Sequence, residues 1–191
     1  MAPFLLLINN INAITLVLSK MAIVFKPLSQ LTIYNKQSYS AKRIFLAGSI
    51  NMGSSIDWQD DLTNKIGDRD AYIFNPRRLS WDSSWEQHIS NDNFRQQVEW
   101  ELDNLTQSDI IVFNILPESK SPITLMEIGL FIKDKNKKFF VCCPPEFYRS
   151  GNVQVVCARY GIPLYEDYDK MTEDLLSFLD DIALTAHFLD V

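Results

Sequence analysis

Histidine and cysteine are scarce in this chain. Its 191 residues include two histidines, His88 and His187, and three cysteines, Cys142, Cys143 and Cys157. No Cys-x-x-Cys or His-x-x-x-His spacing occurs, so a zinc site has little support. The adjacent pair Cys142–Cys143 and an odd total do not make a disulfide framework; reduced, buried thiols in a cytoplasmic protein are the simpler reading. Cations are also in the minority. Eighteen Lys and Arg face 24 Asp and Glu, a formal net charge of −6. That balance disfavours binding to a nucleic-acid polymer, where affinity rests on Lys and Arg. Neither G-x-G-x-x-G nor G-x-x-x-x-G-K-[ST] is present, which leaves a dinucleotide site or a P-loop unsupported. Acid–base chemistry therefore falls to carboxylates, with no metal and no cofactor expected.

A long uninterrupted apolar run is missing too. Residues 1–20 are apolar, but Asn9, Asn10 and Asn12 break them, which speaks against a membrane span. They carry no charged n-region and no clear small-residue cleavage site, so a secretory signal is poorly matched. We read residues 1–41 as an N-terminal extension of uncertain role and 42–191 as the main domain. What remains is ordinary globular composition, 47% hydrophobic and 22% charged.

From Lys42 the pattern is regular. Short apolar runs at Arg43–Ala47, Ala71–Phe74 and Lys138–Cys143, stopped by Gly48-Ser49, Asn75-Pro76 and Pro144-Pro145, read as strands, as does Asp109–Asn114. Ile162–Tyr165 reads as a weak edge strand, where Pro163 is tolerable. Helices are expected over 55–67, 92–107, 122–134, 152–159 and about 170–188. Strands alternating with helices predict an α/β fold: a flavodoxin-like or Rossmann-like, doubly wound, five-stranded parallel sheet with helices on both faces. Ligands of such folds bind beyond the C-terminal strand ends, here Gly48-Ser49, Asn75–Arg78, 114–122 and the loop after Cys143.

Two helices carry a carboxylate on the wrong face. In 92–107, Phe94, Val98, Leu102 and Leu105 form the expected apolar stripe, and Glu101 falls about 20° from Phe94, inside it. In 122–134, Glu127 has Ile123, Leu130 and Phe131 at i−4, i+3 and i+4. Ser121-Pro122 reads as an N-cap followed by Pro at the first helical position, and Gly129 as a place of close backbone approach. A carboxylate facing a core is costly unless paired, hydrogen-bonded or protonated. Each Glu alone is compatible with reaching the rim of the sheet or pairing with an Arg. Two of them flanking one strand suggest the nucleophile and proton donor of glycosidic cleavage.

Other features remain open at this level. Arg77 and Arg78 suit either an anion or neighbouring acids. Trp58, Trp81, Trp85 and Trp100 suit either base stacking or packing. Ser121 lacks a nearby His to make it a nucleophile. His88 lies in a polar loop, and Asp180-Asp181 on a solvated helix face.

Taken in order, Ile44–Ile50 (IFLAGSI), Asn75–Arg78 (NPRR) with Trp81, Phe94–Glu101 (FRQQVEWE), Ser108-Asp109 and Ser121–Gly129 (SPITLMEIG) resemble the nucleoside 2-deoxyribosyltransferase-like family over about residues 42–165. The resemblance implies that Glu127 is the nucleophile attacking C1′ of the sugar. It implies that Glu101, where the transferases typically have Asp, binds and protonates the base. Asn152 matches an Asn that reaches the sugar from a neighbouring subunit, which implies a homodimer or larger assembly. Ser121 stands where transferases have Asp; it is more similar to the related deoxynucleotide N-hydrolases, whose serine contacts a 5′-phosphate.

The implied activity is cleavage or transfer at the N-glycosidic bond of a (2′-deoxy)nucleoside or nucleotide through a glutamyl glycosyl-enzyme. Gly48 and Ser49 let the backbone approach the substrate, Trp58 or Trp81 covers the base, and Asn75, Arg78 and Ser121 complete the binding set. The alternatives are a nucleoside 5′-monophosphate N-glycosidase or a non-catalytic nucleotide-binding module. The partner is a small nucleoside or nucleotide, without nucleic-acid polymer or membrane.

Overall fold

The apolar runs that end at Gly or Pro do form strands. The computed structural model describes residues 21–27, 41–50, 56–78 and 84–189, the last four of these as backbone only. The strands are β1 (Ile23–Phe25), β2 (Lys42–Gly48), β3 (Ala71–Phe74), β4 (Ile110–Asn114), β5 (Lys138–Cys142) and β6 (Leu164–Tyr165). The helices are α1 (Trp58–Ile66), α2 (Asp92–Gln107), α3 (Pro122–Phe131), α4 (Ser150–Tyr160) and α5 (Tyr168–Leu189). All strand pairs are parallel, in the order β1-β3-β2-β4-β5-β6. Counted from Lys42, this is the flavodoxin-like order 2-1-3-4-5.

Alternation along β2 sorts the core into two layers. Phe45 and Ala47 join Phe113, Phe139, Leu105, Ile128 and Val153 beneath α2, α3 and α4. Ile44 and Leu46 join Val112, Leu62, Met171 and Leu175 beneath α1 and α5. At the foot of the sheet, Asp109 accepts from the Arg43 backbone N–H at 2.9 Å and pairs with its guanidinium at 2.7 Å, fixing β2 against β4. The Asn91 side chain caps α2 by accepting from Phe94 N, and Gly161, at φ 68°, ends α4.

The sheet has six strands rather than five. The sixth is β1, which lies in the stretch assigned to the N-terminal extension. Ile23, Val24 and Phe25 pair with Tyr72, Ile73 and Phe74, and Asn75 N donates to Phe25 O. Three residues are too few to display a periodicity. The rest of the proposed extension, 1–20 and 28–40, lies outside the described residues. Among the described residues, no helix is long and apolar enough to cross a membrane.

Both helical stripes need correction. Leu102 is exposed, and the buried polar side chains of α2 are Gln97 and Asn104, flanking Glu101. Ile123 and Leu130 are more than half exposed, whereas Thr124, Glu127 and Ile128 are buried. Because α3 is apolar on every side, its sequence does not reveal which side faces the sheet. Ile56, expected in the first helix, is exposed and precedes α1. The three cysteines are buried free thiols. Asp180 is not merely solvated: it receives Arg69 at 2.8 Å.

Candidate active site

β3 and β4 lie on opposite sides of β2, so the chain changes direction across the sheet at β2 and β4. A crevice opens at such a switch point, beyond the strand C-termini. Gly48 ends β2 there at φ 153°, where a Cβ would overlap the Asn114 carbonyl and press the Trp58 ring. Only glycine fits. The Ser49 hydroxyl lies 2.7 Å from that of Ser119 and 2.6 Å from that of Ser121. Ser119 and Ser121 are themselves 2.6 Å apart. Leu116 N donates to Ser49 Oγ, and Ser119 Oγ donates to Leu116 O. This buried triangle of hydroxyls ties the end of β2 to the loop that launches α3.

Ser121 does not cap α3 through its side chain, contrary to the sequence reading. Its backbone is left-handed at φ 41°, and its hydroxyl turns to Ser49 and Ser119 instead. A non-glycine residue in that conformation is strained and persists where its surroundings over-determine it. Six residues on, α3 places Glu127 at 6% exposure on the layer beneath α2, α3 and α4.

Glu101 comes to the same layer from α2. Gln97, one turn earlier and buried, donates through Nε2 to Glu101 Oε1 at 2.7 Å and to Pro76 O at 3.1 Å. Its Oε1 receives Arg78 Nη1 at 3.4 Å. The Arg78 guanidinium lies over the Trp85 ring, 4.8 Å from its centroid. Arg78 Nε and Asn75 Nδ2 are buried without partners.

Burial pushes the Glu101 carboxyl up to about 7, opposed by the Gln97 hydrogen bond. Burial, and after it the neighbouring Glu101 charge, pushes Glu127 up to about 8. No hydrogen bond from a described residue draws Glu127 back down. The Glu101 charge bears on Glu127, so the two carboxyls are coupled and both stand well above the ordinary carboxylate range. One proton between them leaves one carboxyl neutral and the other charged.

The remaining expected residues divide. Asn75 is fully buried at the end of β3; its Oδ1 holds Arg77 N at 2.9 Å. Arg77 pairs with Asp57 at 3.2 Å, so of its two readings the acid partner is the one observed. Trp58 is a core side chain whose indole N–H donates to Ser49 O; it buttresses the glycine turn and presents no free face to a base. Trp81 lies outside the described residues. Asn152 is exposed in the first turn of α4 and is not gathered into this cluster within one chain. His88 is exposed, with its Nδ1 2.9 Å from Ser90 Oγ. Sequence reasoning missed Gln97 and Ser119. Gln97 had a readable signal, its position four residues before Glu101 on one helical face. Ser119 had only its proximity to Ser121.

Comparison with protein families matches residues 41–147 to the family described as nucleoside 2-deoxyribosyltransferase like. The chain belongs to that family. The match takes in the glycine turn, the strand end at Asn75 and both glutamate helices. No curated protein matches the chain.

Proposed function

We propose that the protein cleaves the N-glycosidic bond of a 2′-deoxynucleoside or its 5′-monophosphate, retaining the sugar on Glu127. The observation that carries this reading is the pair of buried carboxyls, Glu101 and Glu127, on two helices that pack against one face of the sheet. The reacting state has Glu127 ionised and Glu101 protonated, the reverse of the resting preference in which Glu127 holds the proton more tightly, so substrate binding moves the proton from Glu127 to Glu101. A Glu127 oxygen attacks C1′, the C1′–N bond breaks with its electron pair going to the base, and Glu101 gives that nitrogen its proton. The resulting ester is opened by water, which loses a proton to Glu101, or by the nitrogen of a second base. Retaining geometry sets the two carboxyls roughly 5–5.5 Å apart.

Arg78, Asn75 and Trp85 line the side from which Gln97 reaches Glu101, and suit the base. Gly48 and the Ser49–Ser119–Ser121 triangle lie at the start of α3. This hydroxyl cluster favours a second reading, hydrolysis of a nucleoside 5′-monophosphate, because hydroxyls beside a helix N-terminus suit a phosphate.

The site belongs to a homo-oligomer. Ile123, Met126 and Leu130 project from α3 more than half exposed, and nothing approaches the Cβ position of Gly129. A helix apolar on all sides is ordinarily enclosed, and a second copy of this chain supplies the cover. It also brings the exposed Asn152 to a neighbouring site. Three buried reduced thiols suit the cytoplasm.

Incubation with a deoxynucleoside or deoxynucleotide, with and without a second free base, tests the reading. Free base accompanied by a new nucleoside identifies transfer; free base with deoxyribose or its 5-phosphate identifies hydrolysis. Tight nucleotide binding without base release contradicts catalysis.

A further inference from the structure

The Gln97 carboxamide is held in one orientation. Its Nε2 spends both hydrogens, on Glu101 Oε1 at 2.7 Å and on the Pro76 carbonyl at 3.1 Å, while its Oε1 receives Arg78. A flip of the amide would set oxygen against both the Pro76 and Glu101 oxygens and turn its NH2 toward a guanidinium. Gln97 is only 4% exposed, so water does not rescue the flipped form.

The consequence falls on Glu101. Its Oε1 is committed as an acceptor, so in the neutral acid the proton resides on Oε2. We propose that Gln97 is a positioning residue of the glycosidic-cleavage site, which, locked by Arg78 and Pro76, keeps the transferable proton of Glu101 on the oxygen facing the departing base. This rests on the reaction proposed above. Without the lock, the carboxyl rotates and the proton visits both oxygens, only one of which is aimed at the leaving nitrogen. The charged groups that bear on Glu101 are Glu127 from α3 and, through Gln97, Arg78 from the segment after β3.

Two substitutions separate this role from packing. Gln97→Glu is isosteric and replaces the donor by an acceptor; Gln97→Met keeps the length and removes both polar groups. The first measurement is a carbon-13 titration of the Glu101 carboxyl in the resting protein, which requires no turnover. Loss of the N–H donor raises the Glu101 midpoint by about one unit in both variants. The second is base release from two deoxynucleosides, one with an ordinary base and one with an electron-poor base that departs without protonation. The variants lose about 10- to 100-fold on the ordinary base and less than about threefold on the activated one, and the alkaline limb of the pH profile moves upward.

An unchanged Glu101 titration in Gln97→Glu overturns the proposal, as do equal rate losses on both bases. Should Gln97→Met fail to fold, the isosteric variant decides alone. If the wild-type protein releases no base at all, the cleavage reaction fails while the titration still reports on the Gln97–Glu101 lock.

Discussion

The hydroxyl of Ser49 at the end of β2 lies 2.6 Å from the hydroxyl of Ser121 at the start of α3. Two segments 72 residues apart in sequence are thereby joined across the switch point of the sheet. Ser121 is the only non-glycine residue at positive φ among the described residues, and this contact, with Ser119, holds it there. The phase of α3, and so the direction of Glu127, starts from that strained residue.

Ser121→Ala removes both hydroxyl contacts and leaves the left-handed backbone. It is expected to cost about 1–2 kcal/mol, read as a fall in denaturation midpoint. Base release is also expected to fall, and more steeply on a 5′-monophosphate than on the free nucleoside. Equal losses on the two substrates contradict the phosphate assignment.

Gly48→Ala is expected to be far more damaging. Its Cβ meets the backbone carbonyl of Asn114 in the neighbouring strand, which is not free to yield, and the ring of Trp58 stands 2.7 Å away. A loss of about 3 kcal/mol or more, or failure to fold, follows. Thermal unfolding monitored by circular dichroism checks it.

The carboxyl pair makes stability depend on pH in an unusual direction. Glu127 sits near 8 in the folded protein against an ordinary 4.5, so the folded state holds more protons than the unfolded chain between those values. Stability therefore falls as pH rises through that window, and the contribution is fully present only below about 4.5. Glu127→Gln removes the buried charge. It is expected to stabilise the protein at pH 9 by on the order of 2–4 kcal/mol, with little change at pH 4.5, while abolishing turnover. Chemical denaturation at the two pH values supplies the comparison. Equal effects at both remove the case for a buried, raised carboxyl.

Much of the fold was legible, for identifiable reasons. Three of the five strands from Lys42 onward are apolar runs with sharp stops, at Gly48-Ser49, Asn75-Pro76 and Pro144-Pro145, and the Pro163 strand is at the edge as expected. The glutamates were placed correctly inside their helices, but on faulty stripes. α2 turns Gln97, Glu101 and Asn104 inward, a polar stripe where a core-facing helix ordinarily carries apolar side chains. α3 is apolar on both faces, one against the sheet and one outward, so Ile123 and Leu130 did not define the buried side. Ser121 illustrates the same limit. Ser-Pro ahead of a helix suggests a cap, but partners from β2 and from two residues upstream claim its hydroxyl, and neither is visible to a local rule.

The outward face of α3 yields a prediction of its own. Met126→Glu sets a charge among Ile123, Leu130 and the bare Gly129, on a surface that tolerates it in an isolated subunit. The variant is expected to fold and to sediment as a smaller species than wild type. Activity should fall with it, because Asn152 no longer reaches a neighbouring site. A monomeric, fully active wild type contradicts the shared-site assignment.

The central claim is that the sugar passes through an ester on Glu127. Rapid denaturation of the enzyme during turnover of a deoxynucleoside or deoxynucleotide, followed by intact and peptide mass spectrometry, reads it directly. The account predicts a deoxyribosyl or phosphodeoxyribosyl mass increment on the peptide containing Glu127, absent in Glu127→Gln. Base release at an undiminished rate in Glu127→Gln, or an increment on a different residue, contradicts it.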